Sequence, residues 1–319
     1  MSVLVLVEHD GGTMAAATHE AFAFAADLAG QTSTDVAALL IGAESAALAD
    51  ECAAHGASTV HVVDDAALTD YGPDAWASVL VAAVGQLEPS AVVACGTDRG
   101  NEVLAAAAAD LDLAFVSNCL TVKAADEWEM TRVQWGGSLN EDARLASSMP
   151  ILSVAPHAVD AAEPVAGATA TTQSLTVDLP ESATTTMIQD RVVLSEGVTL
   201  ATAPVVVGGG RGVGSAEGFA VLDELAVELG GVVGCSRAVT NNGWRPHSDQ
   251  VGQTGTRIAP QLYIACGISG AIQHWVGAKA AKKILAINTD PAANMVVKAD
   301  YAVIGDLFEV LPAIRAALD

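Results

Sequence analysis

Short runs of β-branched and other apolar residues alternate with longer alanine-rich stretches through the first third of the chain. Each short run is a candidate buried strand, and each longer stretch is a candidate helix. In chain order the predicted elements are strand 2–7, helix 18–29, strand 35–41, helix 44–54, strand 58–63, helix 73–87, strand 90–95 and helix 101–110. This alternation is typical of βαβ units, so we expect a mostly parallel sheet flanked by helices.

The middle of the chain breaks this rhythm. Between residues 115 and 157 the segments are shorter and include Trp128, Trp135 and Gly136, which favours a hairpin or edge strands that complete the first sheet. Residues 160–186 hold too few large apolar residues to form a core of their own. We interpret them as an outer strand and a linker.

The last part of the chain returns to the alternating pattern. Its predicted strands are at 203–207, near 232, and at 262–265, 284–287 and 301–304, and its last helix begins at Asp306. A chain of 319 residues also exceeds the usual size of one core. We therefore predict two α/β domains, residues 1–189 and residues 190–319, and expect the second to be doubly wound.

The charge balance is strongly acidic. The chain has 38 Asp and Glu against 14 Lys and Arg, a net charge of −24, which disfavours nucleic acid and anionic membranes as partners because both would repel it. Salt screens such self-repulsion, so the composition indicates a halophilic source, which we expect to be an archaeon. The apolar run at 3–7 is too short for a signal sequence or a membrane span, and we expect a cytoplasmic protein without membrane insertion.

Neither the cysteines nor the histidines show a metal-binding spacing. The five cysteines include no C-x-x-C pair, and the seven histidines include no H-x-x-H or H-E-x-x-H motif. No G-x-S-x-G elbow accompanies them. We therefore expect no metal site, no disulfide framework and no catalytic triad.

A glycine-rich turn at 208–214 joins the strand at 203–207 to a helix. Free backbone N–H groups and the positive end of the helix would face an anion there, and phosphate is the natural ligand. The spacing does not match G-x-G-x-x-G. By itself the turn is consistent with a phosphate loop or with a tight connection only.

Seven of the 14 basic residues fall between positions 205 and 285. They are Arg211, Arg237, Arg245, Arg257, Lys279, Lys282 and Lys283. This concentration in an acidic chain indicates an anionic ligand or an acidic partner surface. The three lysines are also consistent with ordinary solvated helix charge.

Two further turns combine glycine with polar side chains. They consist of Val251, Gly252, Gln253, Thr254 and Gly255, and of Ser269, Gly270, Ala271, Ile272, Gln273 and His274. The first can hydrogen-bond a planar heterocycle or a polyol, and the second opens a helix after a strand, where ligands bind in open parallel sheets. Taken singly, the first turn is also consistent with an ordinary connection, and His274 with a histidine on a helix surface.

Together with Ser236-Arg237 and Asp306-Leu307, these motifs resemble the α subunit of electron-transfer flavoprotein over residues 205–311. The resemblance implies a C-terminal FAD-binding domain, an N-terminal domain that contacts a partner, and a β subunit that covers part of the flavin and carries AMP or a second FAD. It also implies a heterodimeric electron carrier rather than a substrate-converting enzyme. Its donors would be flavin dehydrogenases, such as the acyl-CoA dehydrogenases of fatty acid oxidation, and its acceptor a membrane quinone oxidoreductase.

The resemblance also assigns roles to single residues. It implies that Arg211 and Ser236 contact the phosphates or the adenosine-pyrophosphate side, and that Arg237 lies against the isoalloxazine ring. Gln253 and Thr254, with their neighbours in the same motif, are expected to reach the ribityl chain and flavin N5.

The remaining assignments follow in the same way. Residues 269–274 are implied to pass near the ribityl chain and pyrophosphate, with His274 close to the flavin C2 carbonyl, while Asn288, Asp306 and Leu307 line the adenosine end. Reduction adds negative charge to a flavin, so we expect Arg237 or His274 to stabilise that charge.

Three alternatives stay open at this point. The partner subunit decides whether the protein belongs to an electron-bifurcating assembly that uses NADH. A stand-alone nicotinamide dehydrogenase would need the missing G-x-G-x-x-G, and a non-redox nucleotide-binding module is compatible with the first domain alone. One departure from the family pattern is the segment 153–156, where a basic residue before the proline is usual and this chain has Ala155.

Overall fold

The computed structural model describes residues 1–10, 12–125, 127–188 and 198–318. The chain groups into two compact units: unit 1 comprises Met1–Gln134 and Asn140–Val192, and unit 2 comprises Trp135–Leu139 and Val193–Asp319. The predicted boundary between residues 189 and 190 lies outside the described residues. The sequence-based division assigns Trp135–Leu139 to the first domain, whereas the chain's contacts group them with unit 2.

Unit 1 is built on a nine-stranded sheet. In chain order its elements are β1 (Ser2–Leu6), β2 (His9–Asp10), β3 (Thr13–Met14), α1 (Ala16–Thr32), β4 (Asp35–Ile41), α2 (Ala49–Ala54), β5 (Thr59–Val63), α3 (Pro73–Leu87), β6 (Ala91–Cys95), α4 (Asp98–Asp110), β7 (Phe115–Lys123), β8 (Trp128–Gln134), β9 (Leu139–Leu145), β10 (Ile151–Val154) and β11 (Thr171–Ser174). The strand order is β11-β5-β4-β1-β6-β10-β7-β8-β9. The pairs from β11 to β7 are parallel, and β7 pairs antiparallel with β8. The predicted parallel sheet is confirmed.

Successive side chains of a strand point to opposite faces of the sheet. Since both sets of side chains are apolar here, helices pack on both faces of this sheet. Val3 and Val5 pack with Phe22 of α1 in one buried cluster. Leu4 and Leu6 lie in the other cluster, which also contains Trp76 and Leu80 of α3. Strands buried on both faces read as continuous apolar runs, which is why these runs were identifiable in the sequence.

One predicted helix takes a different form. Residues 44–54 were expected to form a single helix, but Ala43–Leu48 forms a 3₁₀ helix and only Ala49–Ala54 is α-helical. The buried Ser45 hydroxyl donates to Gly42 O at 2.6 Å, and Ser45 N donates to the same oxygen at 3.1 Å. These short-range bonds tighten the first turn.

Unit 2 contains a five-stranded sheet. In chain order its elements are β12 (Val205–Gly209), α5 (Ala220–Glu228), β13 (Val232–Cys235), α6 (Arg237–Asn241), β14 (Leu262–Cys266), α7 (Ile272–Ala278), β15 (Ile284–Asn288), α8 (Asn294–Lys298), β16 (Tyr301–Ile304) and α9 (Leu307–Leu318). The order β13-β12-β14-β15-β16 is parallel throughout. Buried clusters lie on both faces of this sheet, as expected for a doubly wound fold.

None of the helices in the described parts of the chain is both long enough and apolar enough to cross a bilayer.

Candidate functional site

A cavity of about 750 Å³ lies at the carboxyl ends of the strands of unit 2. Each of four neighbouring strands contributes residues to its wall. Arg211 follows β12, Ser236 and Arg237 follow β13, residues 267–274 follow β14, and Asn288 ends β15. In an open parallel sheet the loops after these strands converge beside the point where strand order reverses. The cavity therefore occupies the position where such folds bind ligands.

Glycines allow two of these loops to touch backbone to backbone. Gly212 N donates to Gly267 O at 3.1 Å, and Gly210 N donates to Cys266 O at 2.9 Å. A Cβ atom on Gly210 would overlap Gly267 O, and Gly267 itself has a φ of +61°. The glycine-rich turn therefore holds Arg211 beside the loop that begins at Gly267.

Two arginines in the cavity wall have no carboxylate partner among the described residues. Five other arginines do have one: Arg99, Arg132, Arg144, Arg245 and Arg315. Arg211 and Arg237 are exposed and line the cavity. In a chain of net charge −24, two unpaired guanidinium groups at one cavity make a site for an anion, because guanidinium binds phosphate oxygens in a bidentate manner.

The loop after β14 is shaped by Gly270, which has a φ of +76° and leaves no room for a Cβ atom beside the backbone of Met295. Ser269 O accepts a hydrogen bond from Met295 N at 3.3 Å. The loop ends at Ala271, which precedes α7. Ser269, Gly270, Ala271 and Gln273 consequently face the cavity together.

His274 is buried in the first turn of α7 and also lines the cavity. Its Nε2 lies 2.8 Å from the hydroxyl of the fully buried Tyr263. Its Nδ1 makes no hydrogen bond of good geometry within the described residues. Burial lowers the pKa of His274 from 6.5 to about 4, against a weaker opposing effect of the Val251 backbone. The ring is therefore neutral at neutral pH.

The turn at 251–255 supports α7 instead of lining the cavity. Gly252 packs against Gly277 of α7, and a Cβ atom on Gly277 would overlap the backbone of Gly252. Gln253 N donates to Gln273 O at 2.8 Å, and Gln253 Nε2 donates to Trp135 O at 2.9 Å. These contacts fix the turn on the helix that carries His274.

Gln250 connects this turn to α6. Its Nε2 donates to Thr254 Oγ1 at 3.0 Å, and its Oε1 accepts from Thr240 Oγ1 at 2.8 Å. The Gln250 side chain is buried. Because Thr254 Oγ1 accepts this bond, its own hydroxyl hydrogen is available to another acceptor.

Nine of the sixteen residues predicted for the site line the cavity. They are Arg211, Ser236, Arg237, Ser269, Gly270, Ala271, Gln273, His274 and Asn288. Val251, Gly252, Gln253, Thr254, Ile272, Asp306 and Leu307 are not part of this lining.

Three of the residues outside the lining have other evident roles. Leu307 lies in the core of unit 2, Asp306 Oδ1 accepts from Phe308 N at 2.9 Å at the start of α9, and Ile272 is exposed at the start of α7. The adenosine-end roles of Asp306 and Leu307 remain predictions.

Sequence reasoning missed several lining residues, chiefly Asn241, Ile268, Asp290 and Ala293. Asn288 Nδ2 donates to Ile268 O at 3.0 Å, and Asn288 Oδ1 accepts from Asp290 N at 3.1 Å. Asn288 thus joins two loops of the cavity. Ile268 and Asp290 follow predicted strands closely, which was their only signal, whereas Asn241, at the end of α6, and Ala293 had no such signal.

The wall chemistry fits a dinucleotide-like ligand. It offers two guanidinium groups without a carboxylate partner among the described residues, a serine hydroxyl for phosphates and close backbone packing at glycines. It also offers the buried His274 Nδ1, which makes no hydrogen bond of good geometry in the same part of the chain. A volume of about 750 Å³ is within the range of small-molecule and cofactor pockets.

Comparison with known proteins identifies the family. The electron transfer flavoprotein domain matches residues 3–180, and the electron transfer flavoprotein FAD-binding domain matches residues 199–279. The chain is 36% identical to the "Electron transfer flavoprotein subunit alpha" of Bacillus subtilis, over 97% of this chain and 95% of that protein.

Two further relatives have the same sequence identity to this chain, and each alignment covers nearly the whole of both proteins. The subunit alpha of Pseudomonas aeruginosa is 36% identical over 100% of both chains. The "Probable electron transfer flavoprotein subunit alpha, mitochondrial" of Caenorhabditis elegans is 36% identical over 99% of this chain and 93% of that protein. The chain thus has an electron transfer role and belongs to the electron transfer flavoprotein alpha subunit family.

Proposed function

We propose that this chain holds FAD in the cavity of unit 2 and works as one half of a heterodimeric electron carrier in the cytoplasm. Its donors are flavin dehydrogenases, such as the acyl-CoA dehydrogenases of fatty acid oxidation, and its acceptor is a membrane quinone oxidoreductase. The partner β subunit covers part of the flavin and holds AMP or a second FAD. FAD supplies the redox chemistry, because it accepts and releases electrons one at a time.

The cavity residues bind and orient this cofactor. Arg211 and Ser236 hold phosphate oxygens, and Arg237 offers a fixed positive charge to the ring system. His274, neutral and held by Tyr263, offers a ring nitrogen for hydrogen bonding and no net charge. Gln253 and Thr254 reach the ribityl chain and ring from the turn that supports α7. In this arrangement no residue acts as nucleophile or general base.

One observation carries the proposal. Arg211 and Arg237 are unpaired cavity arginines among the described residues of a chain with 38 acidic side chains. Guanidinium groups in such a chain would ordinarily find a carboxylate. Their position at the carboxyl ends of β12 and β13 is where a dinucleotide's phosphates lie in this type of fold.

The test begins with flavin content. The chain is purified with its β subunit in high salt, the bound flavin is released and identified, and the complex is mixed with an acyl-CoA dehydrogenase and its substrate. We expect one FAD for each α chain, reduced by the dehydrogenase and reoxidised by a quinone oxidoreductase.

Two results would overturn the proposal. A complex that stays colourless after incubation with FAD would exclude the flavin site. Reduction by NADH, with no reduction by the dehydrogenase, would instead support an electron-bifurcating complex.

We also propose that the acidic composition is an adaptation to a salt-rich cytoplasm, as in a halophilic archaeon. Support comes from the net charge of −24 with only 14 basic residues, since mobile ions reduce repulsion among surface carboxylates. Thermal unfolding in low and in molar salt tests this idea. An equal midpoint in both buffers would contradict it.

A further inference from the structure

Unit 1 contains a cluster of three side chains that the electron-transfer role does not use. His19 lies on α1, Glu51 lies on α2, and His55 follows the end of α2. His19 Nε2 is 3.0 Å from Glu51 Oε1. One donor atom from each residue can be chosen so that all three lie within 4.8 Å of one another.

Packing of α1 and α2 on the same face of the sheet brings these residues together. Phe22 of α1 and Cys52 of α2 share one buried cluster, and the ring of Phe22 stacks on His55 at 6.3 Å. His19 and Glu51 are 32 positions apart, so no local motif could have revealed the cluster.

We propose that His19, Glu51 and His55 bind a Zn²⁺ ion. Two imidazole nitrogens and one carboxylate oxygen are borderline ligands that favour zinc over Mg²⁺ or Ca²⁺. Tetrahedral zinc with bonds of about 2.0–2.1 Å holds its donors about 3.3 Å apart, close to the His19–Glu51 separation. Zinc takes the place of the proton between these two groups, and water completes the coordination.

Binding requires one ring to turn. The rings of His19 and His55 are stacked, with centroids 4.1 Å apart and planes at 14°, so their lone pairs do not converge on one point. The side chains of His19 and Glu51 are 24% and 40% exposed. This exposure gives the His19 ring room to rotate and gives an ion a path from solvent.

The experiment is a calorimetric titration of the FAD-loaded heterodimer with ZnCl₂, after removal of metals with EDTA, in molar NaCl at neutral pH. The high salt screens loose cation binding to a protein of charge −24. The variants are His19→Ala, His55→Ala and Glu51→Gln, each in the same heterodimer. We expect each to weaken one zinc site at least tenfold.

The matched control is His157→Ala. His157 Nδ1 also pairs with a carboxylate, Glu20 Oε1 at 3.3 Å, but this pair is not part of a three-residue cluster among the described residues. We expect the control to bind zinc as the wild type does. We also expect zinc to raise the Tm of the wild type and of the control but not that of His55→Ala.

Two results would overturn the proposal. One is equal zinc affinity in the wild type and the three variants. The other is displacement of zinc by an equal concentration of Mg²⁺, which would identify loose attraction to acidic groups.

Discussion

Each unit has a cavity at the carboxyl ends of parallel strands, and the walls of the two cavities differ in charge. In unit 1 a cavity of about 510 Å³ lies at the carboxyl ends of β1, β4 and β5. Asp10, Glu44 and Asp70 line it together with Trp76 and Tyr71, and no lysine or arginine belongs to its described wall. In unit 2 the described wall of the cavity has two arginines without a carboxylate partner among the described residues, and one carboxylate, that of Asp290.

The difference shows what the fold contributes and what the side chains contribute. Parallel strands with helices on both faces produce a crevice at their carboxyl ends whatever the sequence. The charge on the wall then decides which ligand can enter, because carboxylates such as Glu44 and Asp70 would repel a phosphate and two guanidinium groups would attract one. We therefore expect FAD to bind in the crevice of unit 2 and not in that of unit 1.

Reversing the charges in unit 2 should have the largest effect. The double variant Arg211→Glu, Arg237→Glu gives its cavity the acidic character of unit 1. Each charge-assisted contact contributes about 1.5–3 kcal/mol, so we expect FAD affinity to fall by roughly 100-fold or more. Equilibrium titration of the flavin-free heterodimer with FAD measures this loss.

Two controls sharpen that measurement. Arg257→Glu changes the same charge on an arginine of unit 2 outside the cavity lining, and Glu44→Gln with Asp70→Asn removes two of the three carboxylates from the cavity of unit 1. Both should bind FAD within a factor of about three of wild type. A comparable loss in Arg257→Glu would mean that overall charge, not the site, governs affinity.

The neutral histidine of unit 2 should give a clear pH dependence. The pKa of His274 is about 4 in the folded chain against 6.5 for an unperturbed histidine, so the unfolded state binds a proton first as pH falls. The contribution of neutral His274 to the free energy of unfolding is therefore complete above about pH 6.5. It is lost as the pH falls to about 4, and the total loss over this window is about 3 kcal/mol. His274→Gln should remove this part of the pH dependence.

Urea unfolding of flavin-free protein at several pH values measures the effect. The exposed His247 supplies the control, His247→Gln, whose curve should parallel that of the wild type. If His274→Gln also parallels the wild type, then His274 is protonated in the folded chain at the same pH as in the unfolded one.

Cutting the link between α6 and the 251–255 turn should have the smallest effect. Gln250→Leu removes the two hydrogen bonds that join Thr240 to Thr254. We expect a loss of about 1–2 kcal/mol in the free energy of unfolding, measured in urea. Gln261→Leu, at an exposed position, should change stability by less than about 0.5 kcal/mol. Equal losses in both variants would contradict a specific role for Gln250.

Strands and helices with strong local patterns were predictable from the sequence. The runs at 2–7 and 35–41 became β1 and β4 because apolar residues buried on both faces leave a continuous signal. The place of β10 between β6 and β7 was not predictable, since strand pairing depends on contacts distant in sequence. The 3₁₀ form of Ala43–Leu48 depends on a single buried serine that no periodicity reveals.

Site residues were predictable where glycines or basic residues are concentrated in the sequence, and less predictable elsewhere. Arg211, Arg237 and the loop 269–274 stood out by composition. The burial of His274 did not, because a lone histidine in a helix is equally consistent with a surface position, and its low pKa arises from that burial. Asp290 carries no sequence signal beyond following a strand, and Asn241, the last residue of α6, carries none.

The short segment Trp135–Leu139 has a consequence for the modularity of this protein. It groups with unit 2 although the chain before and after it belongs to unit 1, and its carbonyls accept from Gln253 Nε2 and Lys279 Nζ. No single cut in the gene separates the two units cleanly. A fragment that begins after the linker lacks these acceptors. A chimera that exchanges the C-terminal unit between relatives should therefore also exchange residues 135–139.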